Sequence, residues 1–325
     1  MNSNPTIKNF IELQNIHGFK NDLIITPENF DEVLCDYEIR ENDLRCCLID
    51  EKGRCGQKHY HGYVIRLKDN EGLSIMGKDC AENKFQAHEN IMKKINLFQK
   101  EQDCATKLDN VLIYVKNYDT YKKKILHIRT LLTQYEKVLL DTELLLGFKI
   151  FHILKNRFKI QQHDIKVNAY KYNNEDDLVF QAIHTIGKIP DLTFFQDLDT
   201  AKYLFKLDKF SEALRDAIRL KNQIMSDTPP KSSEINKKSG IIISYMKDLD
   251  FYFENIQNII KSHNNFMKID FKLLCFITSD YKSSLGIAEL LVASNDNITF
   301  NSKEYLRKLE IDYSTKFRCH VIKAV

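Results

Sequence analysis

Between Pro27 and Pro190 the chain contains no proline. Proline removes a backbone donor and collides with the preceding turn, so its absence over half the sequence permits long uninterrupted helices. Inside that window Val111, Tyr114, Tyr118, Tyr121, Ile125, Ile128, Leu132, Tyr135 and Leu139 follow one another at alternating spacings of three and four. Such a heptad seam predicts one long helix from about residue 109 to 157. Four of the nine seam positions are tyrosine, which suits a tight two-stranded zipper badly. The pattern therefore points to an intramolecular helical hairpin or bundle.

Other segments take their expectations from caps and breakers. Thr26-Pro27-Glu28 has the form of a helix N-cap, a first-turn proline and a first-turn acid, predicting a helix to about Tyr37. An earlier helix is expected from about Pro5 to Asn15, ending at Gly18. Further helices are expected over 175–186, 199–225, 241–262 and 284–293, with a turn at Asn295-Asp296-Asn297. Residues 271–278 read equally as strand or helix. Ser226-Asp227-Thr228-Pro229-Pro230 opens the best linker, at 226–240. The expected organisation is an N-terminal domain over 1–90, a helical bundle over 91–225, the linker, and a mainly helical region over 241–325.

The fold class is thus mainly α, with a small N-terminal α+β zinc-binding module at 46–85. That module is read from "CCLIDEKGRCGQKHYHGYVIRLKDNEGLSIMGKDCAENKF", which holds four of the eight cysteines and five of the ten glycines. A strand at 45–49 and a turn at Asp50-Glu51-Lys52-Gly53 precede Cys55-Gly56. Glycine after the cysteine takes a positive φ and turns N–H groups toward the thiolate. His59–Leu67 and Leu73–Met76 read as a hairpin joined by Asp69-Asn70-Glu71-Gly72. Asp79, with Glu82 three residues on, would cap a helix that holds Cys80 in its first turn, where the partial positive charge favours thiolate.

Strand, knuckle, hairpin and ligand-bearing helix make a treble-clef-like layout, and zinc takes four N or S ligands in a tetrahedron. Cys55 and Cys80 are the firmest candidates. His61 or His59 supplies the nitrogen, since the two share a strand face. The fourth ligand is Cys47 or Cys46. Cys47 is favoured because Leu44, Cys46 and Leu48 would form one apolar face. One structural Zn2+ per chain follows, because about 40 residues bury too little apolar surface to fold alone.

The run "CGQKHYHGYVIRLKDNEG…IMGKDCAENKF" resembles zinc-binding modules in proteins of phages, plasmids and bacterial mobile elements. The resemblance covers about 40 of the 325 residues. In those modules a first Cys lies two residues before the Cys-Gly, and here the gap is longer. The resemblance implies an accessory protein that handles or senses nucleic acid, in phage defence or mobile-element biology.

A second signal lies at 149–171, where Lys149, Lys155, Arg157, Lys159, Lys166 and Lys171 face a single acid, Asp164, among Phe151, Phe158, Tyr170 and Tyr172. Cations interleaved with aromatics suit a surface that tracks phosphates and stacks bases, so these six are candidate nucleic-acid contacts. The formal net charge of +3 names no partner. No P-loop, dinucleotide-binding or nucleophile-elbow motif occurs, so those chemistries have no support.

No apolar run is long enough to cross a membrane, and Met1–Pro5 lacks the basic start of a signal peptide. A cytoplasmic location is expected, where clustered cysteines serve as metal ligands or thiols rather than disulfides. The leading expectation is a zinc-stabilised protein that binds DNA or RNA without catalysis. The alternatives are a scaffold that binds proteins through its helical region and, third, a metal-dependent hydrolase of nucleic acid.

Overall fold

A computed structural model of the chain describes residues 6–40, 43–50, 53–70, 72–84, 88–295 and 297–325. Met1–Pro5 and, within three expected turns, Glu51, Lys52, Glu71 and Asp296 lie outside the described residues. In chain order the first elements are α1 (Phe10–Gln14), β1 (Phe30–Glu38), β2 (Ile49–Asp50), β3 (Gly53–Arg54), β4 (His61–Leu67), β5 (Leu73–Gly77) and α2 (Lys78–Lys84). Next come α3 (Glu89–Lys116), α4 (Tyr118–Leu146), α5 (Phe148–Lys159), β6 (Asp164–Tyr172) and β7 (Leu178–Lys188). The chain continues through α6 (Thr200–Ile224), α7 (Ser232–Met246), α8 (Leu249–Phe266), α9 (Tyr281–Ala293), α10 (Ser302–Lys316) and β8 (Val321–Ala324). The protein is mainly α, with small antiparallel sheets ordered β1-β4-β5 and β7-β6-β8. Among the described residues no helix is long and apolar enough to cross a membrane.

The chain forms two compact units, residues 1–118 with 213–244, and residues 119–212 with 245–325. In the first, β4 lies between β1 and β5, and Val64, Ile65 and Ile75 are fully buried. Helix α3 adds Ile91, Ile95 and Phe98 to that core. Its Gln99 Nε2 donates to the Tyr63 hydroxyl at 2.6 Å, while Phe98 meets the Tyr63 ring edge-on at 6.0 Å. In the second unit Phe195 sits at the centre of an aromatic cluster, with Phe151 at 5.7 Å and Phe266 at 4.8 Å.

Several expectations are corrected. The helix over 109–157 is three helices. The first break is at Asn117, whose side chain donates to the Ile113 carbonyl, and the second at Gly147, whose φ of +77° leaves the right-handed helix. Val111, Ile125, Ile128, Leu132 and Tyr135 of the seam are buried, but no single helix carries them. Residues 30–38 form a strand, not a helix. Thr26 and Asn29 exchange backbone-to-side-chain hydrogen bonds and close a turn, after which pairing with β4 extends the chain.

Residues 178–188 also form a strand, not the end of a helix. Asn173 Oδ1 accepts from the N–H groups of Glu175 and Asp177, so the acidic run makes a hairpin turn. The expected helix at 241–262 is two, α7 and α8, and α7 begins at Ser232, inside the stretch read as a linker. Residues 226–231, with both prolines, stay non-helical. Residues 271–276 form a 3-10 helix.

Helix α10 starts on a capping box. Asn301 Oδ1 accepts from the Glu304 N–H at 3.0 Å, and Glu304 Oε2 accepts from the Asn301 N–H at 3.2 Å. Asn301→Ala leaves the Glu304 N–H to water and is expected to cost about 1 kcal/mol. Urea unfolding followed by circular dichroism checks it, and an unchanged midpoint contradicts it.

Candidate metal centre

The sulfurs of Cys46, Cys55 and Cys80 lie within 4.8 Å of one another. Three separate local structures deliver them. Cys46 sits in the extended segment before β2, its N–H donating to the Gln57 carbonyl at 2.9 Å. Cys55 follows β3, and Gly56 beyond it takes a φ of +57°, the left-handed turn expected of a knuckle glycine. Cys80 is the third residue of α2, so it lies in the first helical turn; Asp79 is already helical and does not cap it. The Cys55 and Cys80 sulfurs are 3.6 Å apart. A tetrahedral zinc with bonds of about 2.3 Å sets its sulfurs about 3.8 Å apart, so this spacing fits the ion.

The electrostatics favour a cation. Burial, and then the neighbouring Cys46 sulfur, push the Cys80 thiol well above its ordinary range. Burial also raises Cys46, opposed by the N–H groups of Leu48 and Gly77. Three thiolates packed this closely repel one another, and a divalent ion at their centre removes that penalty.

Cys47 is not with them. Its thiol donates to the Asn21 carbonyl at 3.1 Å, and the Arg54 guanidinium lies 3.3 Å from the sulfur. The expected choice between the two neighbours is therefore reversed. Leu44, Cys46, Cys47 and Leu48 are all buried, so this segment is covered on both faces and apolar neighbours do not mark the core side.

The histidines divide as clearly. His61 opens β4 with an exposed side chain on a polar cavity of about 510 Å³, lined also by Asp36, Glu38, Lys78 and Glu82. His59 is half-buried, and its Nδ1 lies 3.0 Å from the Tyr37 hydroxyl. Its Nε2 is buried and has no hydrogen-bond partner among the described residues. The ring rests on Gly77, where an added Cβ would come within 2.9 Å of Cδ2, the ring carbon bonded to Nε2. Gly77 is the residue whose N–H points at the Cys46 sulfur. Burial lowers the His59 pKa to about 4, which leaves a neutral imidazole, the form that binds metal.

Gln57 and Tyr37 were not legible as site residues. Gln57 Oε1 lies 3.4 Å from the Cys80 sulfur, and Tyr37 orients His59 across 22 residues of sequence. No local pattern signals either.

The six basic candidates scatter over a helix and a strand of the second unit. Lys155 and Lys159 both pair with Asp197, at 2.6 and 3.3 Å, and Lys149 pairs with Asp280 at 3.3 Å. Arg157 is buried and donates to the Asp164 carbonyl at 2.7 Å. Lys166 and Lys171 stand on β6, the first half-buried and the second exposed. No protein-family model, curated protein or solved structure matches this chain.

Proposed function

We propose that this chain is a nucleic-acid-binding protein without catalytic activity, its first unit held together by one structural zinc ion. The observation that carries the reading is the convergence of three thiols from three local structures within residues 46–80. His59, which lies outside the 4.8 Å cluster of sulfurs, is the candidate fourth ligand through Nε2. A buried nitrogen without a partner is costly, and ligation supplies the partner it lacks. The Tyr37 hydroxyl then holds Nδ1 and with it the ring orientation. Four protein ligands close the tetrahedron, and zinc in such a site stabilises the fold.

Nucleic acid is favoured as the partner by Lys166, which shares one face of β6 with Tyr170 and Tyr172. A protein-scaffold reading has its own support in the first unit. There, exposed Leu97 and Ile241 and three lysines line a cavity of about 780 Å³ along α3 and α7.

The metal content of protein purified without chelators tests the zinc half. About one zinc per chain is expected. Removing it with a chelator should lower the melting temperature of the first unit, and re-addition should restore it. Zinc far below one per chain, with an unchanged melt after chelation, overturns the assignment.

A further inference from the structure

The sheet β7-β6-β8 has one covered face and one bare one. Residues directly opposite in an antiparallel pair point to the same side. On the covered side Ile165, Val167, Ala169 and Ile322 are buried, His184 stacks on Phe317 at 4.2 Å, and Gly187 abuts Leu273. The register places another set opposite one another on the other side. Tyr170 faces Phe180 and Val321, Asn168 faces Ile183 and Lys323, Lys166 faces Thr185, and Tyr172 faces Leu178.

That side carries apolar and aromatic groups in the open. Ile183 is 54% exposed, Phe180 51% and Tyr172 49%. Burying a Phe or Ile side chain is favourable, and here several adjacent positions forgo part of it. Cations sit among the rings. Lys323 Nζ lies 5.3 Å from the Tyr170 ring centre, and Tyr170 meets Phe180 edge-on at 6.0 Å. Asp164 is paired with Lys188 at 3.4 Å, so its charge is answered. The acidic turn at Glu175–Asp177 closes one end of the hairpin and would repel phosphate there, which leaves the Lys166–Lys323 end for the backbone.

We propose that this bare face is the contact surface for single-stranded nucleic acid, with bases stacked on Phe180, Tyr172 and Tyr170 and phosphates held by Lys166 and Lys323. The proposal rests on the nucleic-acid reading above and names its surface. Aromatic groups on a sheet face with lysines beside them take unpaired bases, whose π faces are free; a duplex keeps those faces stacked. A protein partner would use the same apolar groups but has no need of the lysines beside them.

The test is fluorescence anisotropy of the full-length, zinc-loaded protein with labelled DNA and RNA single strands of about 12 nucleotides, and with duplex. Single strands should bind more tightly than duplex. Two or three phosphate contacts predict a loss of roughly tenfold in affinity from about 50 to about 200 mM salt. Phe180→Ala and Tyr172→Ala should each weaken binding at least about fivefold, with Phe180→Tyr and Tyr172→Phe retaining it. Both side chains are about half exposed, and circular dichroism checks that the variants fold.

Lys155→Ala, which removes a lysine already paired with Asp197, should bind as wild type. Alanine variants of the face that bind like wild type overturn the surface while the nucleic-acid reading stands. Duplex bound as tightly as single strand overturns the stacking geometry. No binding to any of these at about 50 mM salt overturns both readings and leaves the face to a protein partner.

Discussion

Cys46→Ser is expected to release the metal, whereas Cys47→Ser, one residue away, is expected to keep it. Both thiols are fully buried, so burial does not distinguish them. Direction does: the Cys46 sulfur joins Cys55 and Cys80, while the Cys47 sulfur faces Asn21 and Arg54. Serine oxygen is a poor substitute for thiolate on zinc, so the content should fall from about one ion per chain to near zero. Cys80→Ala should do the same. Small zinc peptides gain ~10–16 kcal/mol of apparent folding energy from the ion. The first unit has its own core, from Leu13 to Phe98, so the loss should be smaller, on the order of 5 kcal/mol. Elemental analysis and urea unfolding of the three variants decide the matter. Equal zinc in Cys46→Ser and wild type would refute the cluster as the site.

The second large effect is expected at Gly62, which carries no unusual φ and is constrained by space alone. An added Cβ would fall inside 3.0 Å of the Met76 carbonyl oxygen and of the Tyr37 phenol, 2.6 Å from its Cζ. One neighbour is the backbone of a paired strand and the other is a fully packed ring, so neither yields cheaply. Gly62→Ala should cost about 3 kcal/mol, the upper range for overpacking. It should also weaken zinc binding roughly 10- to 100-fold, because pushing the phenol aside releases the Nδ1 contact that orients His59.

Gly240 is the control, in the interior of α7 with nothing within 4 Å of its would-be Cβ. Gly240→Ala should stabilise by about 0.5–1 kcal/mol through helix propensity. Unfolding midpoints for the pair, with competition for zinc by a chromogenic chelator, check both parts. A neutral Gly62→Ala with unchanged zinc affinity would remove Tyr37 from the site.

Much of the local architecture was legible because neighbours in sequence decide it. Helix α6 runs from Thr200 to Ile224 where a helix is expected over 199–225, and α9 covers the expected 284–293. The Cys55-Gly56 turn and the first-turn position of Cys80 also follow from a glycine and a helix start. These features need only backbone sterics and a hydrogen-bond donor or two.

Tertiary pairing decided the rest. The buried residues of β1 are Phe30, Val33 and Tyr37, spaced three and four apart as on a helix face. The spacing is real, but bulges between Phe30 and Glu32 and between Val33 and Cys35 produce it on an extended strand. A bulge adds a residue and flips the face, so two of them imitate a helical period and no local rule separates the cases. Which of Cys46 and Cys47 joins Cys55 and Cys80, and which of His59 and His61 is half-buried, depended on the direction each side chain takes in the folded unit. The open sheet face joins residues 166–185 to Lys323, far apart in sequence. Composition announced lysines and aromatics near 149–171, but it took strand register to separate those that face solvent together from those spent on Asp197, Asp280 and the Asp164 carbonyl. Sequence determined which chemical groups the protein owns and where its short-range turns fall. Long-range pairing determined which of those groups meet, because contacts across many residues are set by packing and not by the local chain.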